Sequence, residues 1–154
     1  MIVLEKILLL RSVTFFKEIP DDLLLQIVTT SVTEEIVAAG DAILKKNDKG
    51  RNMYIIASGR VSIHDENIIF KELGEREIFG ELAALSFGRR LASASALTEC
   101  LLLKISSTTL YQLMDVDIGM AKGIIKALCE RTESINRQLE AAMQNQGKHH
   151  VAPH

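Results

Sequence analysis

Residues 79–94 read FGELAALSFGRRLASA, and three of their side chains can do chemistry. Glu81 is a carboxylate, Arg89 and Arg90 are adjacent guanidiniums, and the residues between are mostly apolar. A carboxylate accepts hydrogen bonds and a guanidinium donates them. Together they suit a ligand with a hydroxyl on one side and an anion on the other. A sugar phosphate has that form, and a cyclic one is compact and preorganised. Gly80, Glu81 and the following LAAL read as a strand that ends in a one-turn helix. The first turn of a helix leaves backbone N–H groups unpaired, which favours an anion there. An arginine arriving from the next strand adds a charge and a fork of donors. Glu81 and Arg90 are nine positions apart, with a turn at SFG between them. That is enough chain to fold back and aim both side chains into one pocket. A structural Glu81–Arg90 ion pair explains the same residues, since buried charges are usually paired.

The elements around this stretch must position it. The apolar residues Ile2, Val3, Ile7, Leu8 and Leu10 predict an amphipathic first helix. FFKEIPDD reads as a turn, and Asp21 or Asp22 suits the cap of a second helix over DDLLLQIVTT. From Ser31 the texture changes to short β-prone runs at 32–37, 42–45, 52–57, 60–64 and 68–72. Gly, Asn and Asp separate them, as in a sandwich or barrel. LASASAL and CLLLKIS follow the opening stretch as two more strands. SSTTLYQLM then reads as a helix with a Ser/Thr cap, and Asp115 or Asp117 caps a long final helix. Its apolar positions are Ile118, Ala121, Ile125, Leu128, Cys129, Thr132, Ile135 and Leu139. The tail QNQGKHHVAPH has no periodicity and reads as frayed or disordered. The expected fold is α+β. It is an eight-stranded antiparallel β-roll, jelly-roll-like, with N-terminal helices and a C-terminal helix pair. Residues 1–141 form the domain and 142–154 the tail.

Composition narrows the function. The chain has 154 residues, enough for one domain with a substantial core. Its net charge of −2 gives no electrostatic case for nucleic acid or an anionic membrane. No apolar run approaches the roughly 20 residues needed to span a bilayer. No signal peptide is evident, so a cytoplasmic location is expected. Cys100 and Cys129 lie far apart in apolar stretches and read as buried reduced thiols. Of four histidines only His64 precedes the tail region, so a histidine-built metal site, as in a cupin-type enzyme, lacks ligands. His64 reads as an exposed residue beside a turn, Tyr54 as core, and Gly59 as a turn residue with unusual backbone angles. Glu34 and Glu35 are neighbours on a strand and point to opposite faces. No catalytic motif stands out, and the chain reads as a non-enzyme.

The stretch FGELAALSFGRRLASA resembles the phosphate-binding cassette of the cyclic nucleotide-binding domain family. The likeness extends upstream through AAGDAILKKNDKGRNMYIIASGRVSI and downstream through ALTECLLLKISSTTLYQLM. It covers about residues 5–138. The resemblance implies that Glu81 accepts a hydrogen bond from a ribose 2′-hydroxyl and Arg90 pairs with the cyclic phosphate. It implies that Gly80 allows close backbone approach. It implies further that amides at Leu82, Ala83, Leu91 and Ala92 donate to the ribose phosphate. The ligand would be cAMP or cGMP, with no other cofactor and no metal.

Two positions depart from the family pattern. Arg89 stands where proline is common, and spacing favours Arg90 as the phosphate ligand, with Arg89 solvated. Leu91 stands where relatives often carry Ser, Thr or Ala, and it offers no hydroxyl. A threonine there accompanies cGMP preference in the family, so Leu91 favours cAMP. The final helix from residue 117 to 142 has no aromatic, so a base cap would be Ile135, Leu139 or Arg131. The leading expectation is a sensor that converts occupancy into movement of its final helix. The alternative is a degenerate fold without ligand that serves as a protein-interaction or regulatory scaffold. No DNA reading is expected from the chain on its own. The apolar stripes fit either a homodimer through the final helix or that helix packed on the roll, and the partner is expected to be a second copy or a fused or separate effector domain.

Overall fold

A computed structural model describes residues 1–150, with side chains through Gly147. The chain starts with α1 (Val3–Arg11), a 3-10 turn (Thr14–Phe16) and α2 (Asp21–Thr30). Six strands follow: β1 (Val32–Val37), β2 (Ala42–Leu44), β3 (Asn52–Ser58), β4 (Val61–Asp65), β5 (Ile68–Leu73) and β6 (Ile78–Phe79). Then come α3 (Glu81–Ser86), β7 (Ser93–Ala96), β8 (Cys100–Ser106), α4 (Ser107–Val116) and α5 (Ile118–His150). The strands form two four-stranded sheets, ordered β1-β8-β3-β6 and β2-β7-β4-β5, and every pairing is antiparallel. The expected eight-stranded β-roll with flanking helices is present.

Side-chain alternation divides the core in two. Along β3, Met53 and Ile55 join Leu103 and Ile105 of β8 in a cluster against α1, α2 and α4. The intervening Tyr54 and Ile56 join Leu102, Val61 and Phe79 between the sheets. A strand covered on both faces needs apolar residues at every position, which MYII supplies. β5 differs: Ile68, Ile69 and Phe70 on this edge strand are all exposed.

Several local expectations shift. Pro20, not an aspartate, is the N-cap of α2. Asp21 and Asp22 sit in its first turn, where carboxylates favour the helix dipole, and Asp21 pairs with Arg11. Ser106 caps α4 by accepting from the Thr109 N–H at 3.1 Å. The Asp117 carboxylate accepts from the Gly119 N–H at 2.7 Å as α5 begins. In α1 the buried residue is Leu10, with Ile7 and Leu9 beside it, while Ile2, Val3 and Leu8 are exposed. In α5 the face against the body is Met120, Ile124, Ala127 and Leu128. Ile118, Ile125, Ile135 and Leu139 point away from it. Of the expected stripe, Leu128 meets the body, and most of the rest lies on the neighbouring face of the same helix. α5 also runs on through 142–150, which sequence assigns to the tail. Residues 151–154 lie outside the described residues.

Cys100 is buried, as expected, but Cys129 is exposed, because α5 turns it from the body. His64 is half-buried rather than exposed, and its ring nitrogens meet Glu66 O at 3.0 Å and Ser95 Oγ at 2.8 Å. Glu34 takes Lys6 at 3.1 Å while Glu35 faces Lys104 at 3.9 Å, so the two carboxylates do diverge.

Candidate functional site

β6 ends at Phe79, and the chain turns sharply into α3. Gly80 makes that turn at φ +76°, in the left-handed region that favours glycine. A side chain there would also collide, since an added Cβ would lie 2.7 Å from Arg90 Nη1. α3 then presents Glu81, Leu82 and Ala83 in its first turn, where N–H groups lack helical partners. Phe87 closes the helix at φ +55° and stacks on Tyr111 with ring centroids 5.0 Å apart.

Arg90 is held from several directions. Its N–H donates to Asp48 O at 2.7 Å, and its carbonyl accepts from the Asn47 N–H at 2.9 Å. Its Nη1 donates to Gly80 O at 2.6 Å and its Nη2 to Asn52 O at 2.7 Å. The guanidinium runs over Gly50, where an added Cβ would lie 2.9 Å from Arg90 Cζ. The residue is 6% exposed. Burial pushes its pKa below the usual arginine range, and the neighbouring Tyr54 and Glu81 oppose that shift. It stays a cation.

Glu81 is equally buried, at 5% exposed. Its carboxylate pairs with Arg131 of α5, not with Arg90. The expected structural Glu81–Arg90 pair is therefore absent. The two residues are instead separate poles of one cleft. The Arg90 guanidinium donates to two neutral carbonyls and forms no salt bridge among the described residues.

That cleft has a volume of about 300 Å³. Gly80, Glu81, Leu82, Ala83, Arg90, Leu91 and Ala92 all line it, so every residue expected from sequence meets in one place. Leu44, Ile63, Leu73, Ile78 and Phe79 give it an apolar wall. Leu91 borders it but is 75% exposed, and the Leu91 and Ala92 N–H groups donate to no backbone carbonyl among the described residues. Arg89 lies outside, donating to Asn47 O at 2.8 Å. Of the three cap candidates, Arg131 lines the cleft, while Ile135 and Leu139 do not and are mostly exposed.

Lys71 of β5 also lines the cleft and was not singled out from sequence. Gly50 and Asn52 were missed too. Asn52 serves through a backbone carbonyl, which carries no signal of residue type. Gly50 had a signal, as a glycine inside the charged run KNDKGR. Among the described residues, no group of three His, Cys, Asp or Glu is placed to hold a metal. No described helix is long and apolar enough to cross a membrane.

The family profile of the cyclic nucleotide-binding domain matches residues 34–117, which include the whole cleft except Arg131. The chain belongs to this family. The domain is 32% identical over 123 residues to a cyclic nucleotide-gated potassium channel of Rhizobium etli, covering 80% of this chain and 34% of the channel. It is 33% identical over 93 residues to human cGMP-dependent protein kinase 2, covering 56% of this chain and 12% of the kinase. The domain thus spans about one third or less of these relatives. Among solved structures, the Thermus thermophilus catabolite activator protein has a TM-score of 0.72 at 22% identity, covering 84% of this chain and 63% of that one. The N-terminal domain of a Streptomyces coelicolor transcriptional regulator has a TM-score of 0.68 at 26% identity, covering 84% and 95%.

Proposed function

We propose that this domain is a sensor that binds a cyclic nucleotide, does no chemistry on it, and signals by moving α5. The observation that carries the reading is Arg90, a buried cation held by carbonyls at one end of a cleft whose other pole is Glu81. The exocyclic phosphate oxygens take the fixed charge of Arg90 and the free amides at Leu82, Ala83, Leu91 and Ala92. The ribose 2′-hydroxyl donates to Glu81. The purine lies along the apolar wall of Ile63 and Leu73. Glu81 already holds Arg131, so a ligand hydroxyl arriving there changes what α5 is tied to. The alternative of a ligandless scaffold is not favoured, because it leaves a desolvated cation facing an open cleft.

Leu91 brings no hydroxyl to the base, which favours cAMP over cGMP. The exposed Ile125, Ile135, Leu139 and Met143 on α5 fit a homodimer through that helix, with the effector fused or separate. Residues 1–141 act as the binding domain, and the location is cytoplasmic. Thermal melting with increasing cAMP and cGMP tests this. The melting temperature rises with both and more with cAMP; a melting temperature unmoved by either at millimolar ligand rules the function out.

A further inference from the structure

Arg90 is a partition between two cavities. Behind it, between β2 and β3, lies a second hollow of about 410 Å³. Lys45, Lys49, Arg51, Arg90 and the single carboxylate Asp48 line it, with Tyr54. Two distant segments build this surface. The Gly50 N–H donates to Gly88 O at 3.1 Å, the Arg90 N–H donates to Asp48 O at 2.7 Å, and Lys49 bridges Arg89. Lys46 nearby is neutralised by Asp65. Lys45, Lys49 and Arg51 have no salt bridge among the described residues.

Tyr54 adds an independent observation. It is 6% exposed, and its ring stacks on Phe79 with centroids 5.1 Å apart. Its hydroxyl has no hydrogen-bond partner among the described residues, yet no enclosed side-chain polar atom is left unpaired. The hydroxyl therefore meets open space, and the hollow is the cavity that Tyr54 lines. Solvent meets the hydroxyl there, and a ligand oxygen can take that solvent's place.

We propose that this hollow is a second anion site, for a small molecule with linked phosphoryl groups of the pyrophosphate type. The Tyr54 hydroxyl and Arg90 form its floor, and Lys45, Lys49 and Arg51 its rim. Four cations line the hollow against one carboxylate, Asp48, while Glu35 beside Tyr54 faces Lys104 at 3.9 Å. A linked diphosphate therefore matches the excess charge better than a single negative charge does. The concave shape suits a small molecule and not a flat membrane. An anion here shares the field of Arg90 with an anion in the Glu81 cleft, so each weakens the other reciprocally.

Calorimetric titration of the full chain with inorganic pyrophosphate at about 0.1 M salt tests the site. The expected result is saturable binding at one site. Tyr54→Phe keeps the ring stack and removes the hydroxyl, and affinity falls about tenfold. The triple variant Lys45→Gln, Lys49→Gln, Arg51→Gln loses binding while its circular dichroism matches the parent. Added cyclic nucleotide weakens pyrophosphate binding to a plateau. Absence of saturable heat overturns the proposal. So does a Tyr54→Phe variant that binds like the parent, which would leave only diffuse surface charge. Full displacement by cyclic nucleotide also overturns it, because it places pyrophosphate in the Glu81 cleft.

Discussion

Arg131, well along α5, reaches back to the Glu81 carboxylate at the start of α3. This contact ties the longest helix directly to the cleft. Beyond Leu128, the apolar residues of α5 among the described side chains point away from the body. Met120 and Ile124 are buried, but Ile125, Ile135, Leu139 and Met143 are exposed. The Arg131 side chain is 39% exposed and that of Glu81 only 7%, so solvent screens one partner and not the other.

Replacing Arg131 by Ala leaves Glu81 buried without its cation. A fully buried broken pair costs more, but exposure of Arg131 reduces the loss to about 1–2 kcal/mol. The expected outcome is a melting temperature lower by several degrees and faster amide exchange in α5 after residue 128. Unchanged exchange there would show that the contact does not hold the helix.

Gly80 has no substitute. Alanine at φ +76° is strained, and its Cβ meets Arg90 Nη1 at 2.7 Å. Gly80→Ala is expected to lose about 1–3 kcal/mol of stability and to weaken cyclic nucleotide binding as Arg90 is displaced. Gly50→Ala acts on the same guanidinium, since its Cβ would lie 2.9 Å from Arg90 Cζ, and on α3, at 2.4 Å from Ala83 Cβ. Denaturant melts of both variants, with ligand titrations, measure the two effects. A Gly80→Ala variant with parental stability and affinity would contradict the cleft geometry.

The proposed ribose contact of Glu81 is separable from the proposed phosphate contact of Arg90. Removing the 2′-hydroxyl from the ligand deletes one hydrogen bond to a charged group, about 1.5–3 kcal/mol. The parent protein is expected to bind 2′-deoxy-cAMP more weakly than cAMP. Glu81→Gln is expected to discriminate far less between the two. Equal discrimination by both proteins would take the ribose away from Glu81.

Tyr54 resists ionisation. Burial disfavours the phenolate most, Glu35 adds repulsion, and Arg90 opposes both. Its pKa therefore lies above the ordinary 10.0. The unfolded chain releases this proton first, so the associated stability is present below about pH 10 and is lost as pH rises through the folded value. Tyr54→Phe is expected to flatten the alkaline limb of stability against pH. Ultraviolet titration of the parent is expected to show a phenol that ionises late and disappears in the variant.

The order and type of most elements were legible because alternation and turn residues act locally. MYII reads as part of a strand, and a serine or threonine as the cap of α4. The seven cleft residues were legible as a contiguous motif. Three features were not. The partner of Glu81 is Arg131, fifty positions away, and only the docking angle of α5 decides that meeting. The inward face of α5 is set by Met120, Ile124, Ala127 and Leu128, and an apolar stripe does not say which side meets the body. The clamp on Arg90 uses the carbonyls of Gly80 and Asn52, which every residue type possesses.

The proposed sensor works only if Arg90 is the anion ligand of its cyclic nucleotide site. Isothermal titration of cAMP into the parent and into Arg90→Ala tests it most directly. The expected result is one saturable site in the parent and a loss of about 2–5 kcal/mol in the variant, with the fold retained. Equal affinity in a folded Arg90→Ala variant, or no binding by the parent, would contradict it.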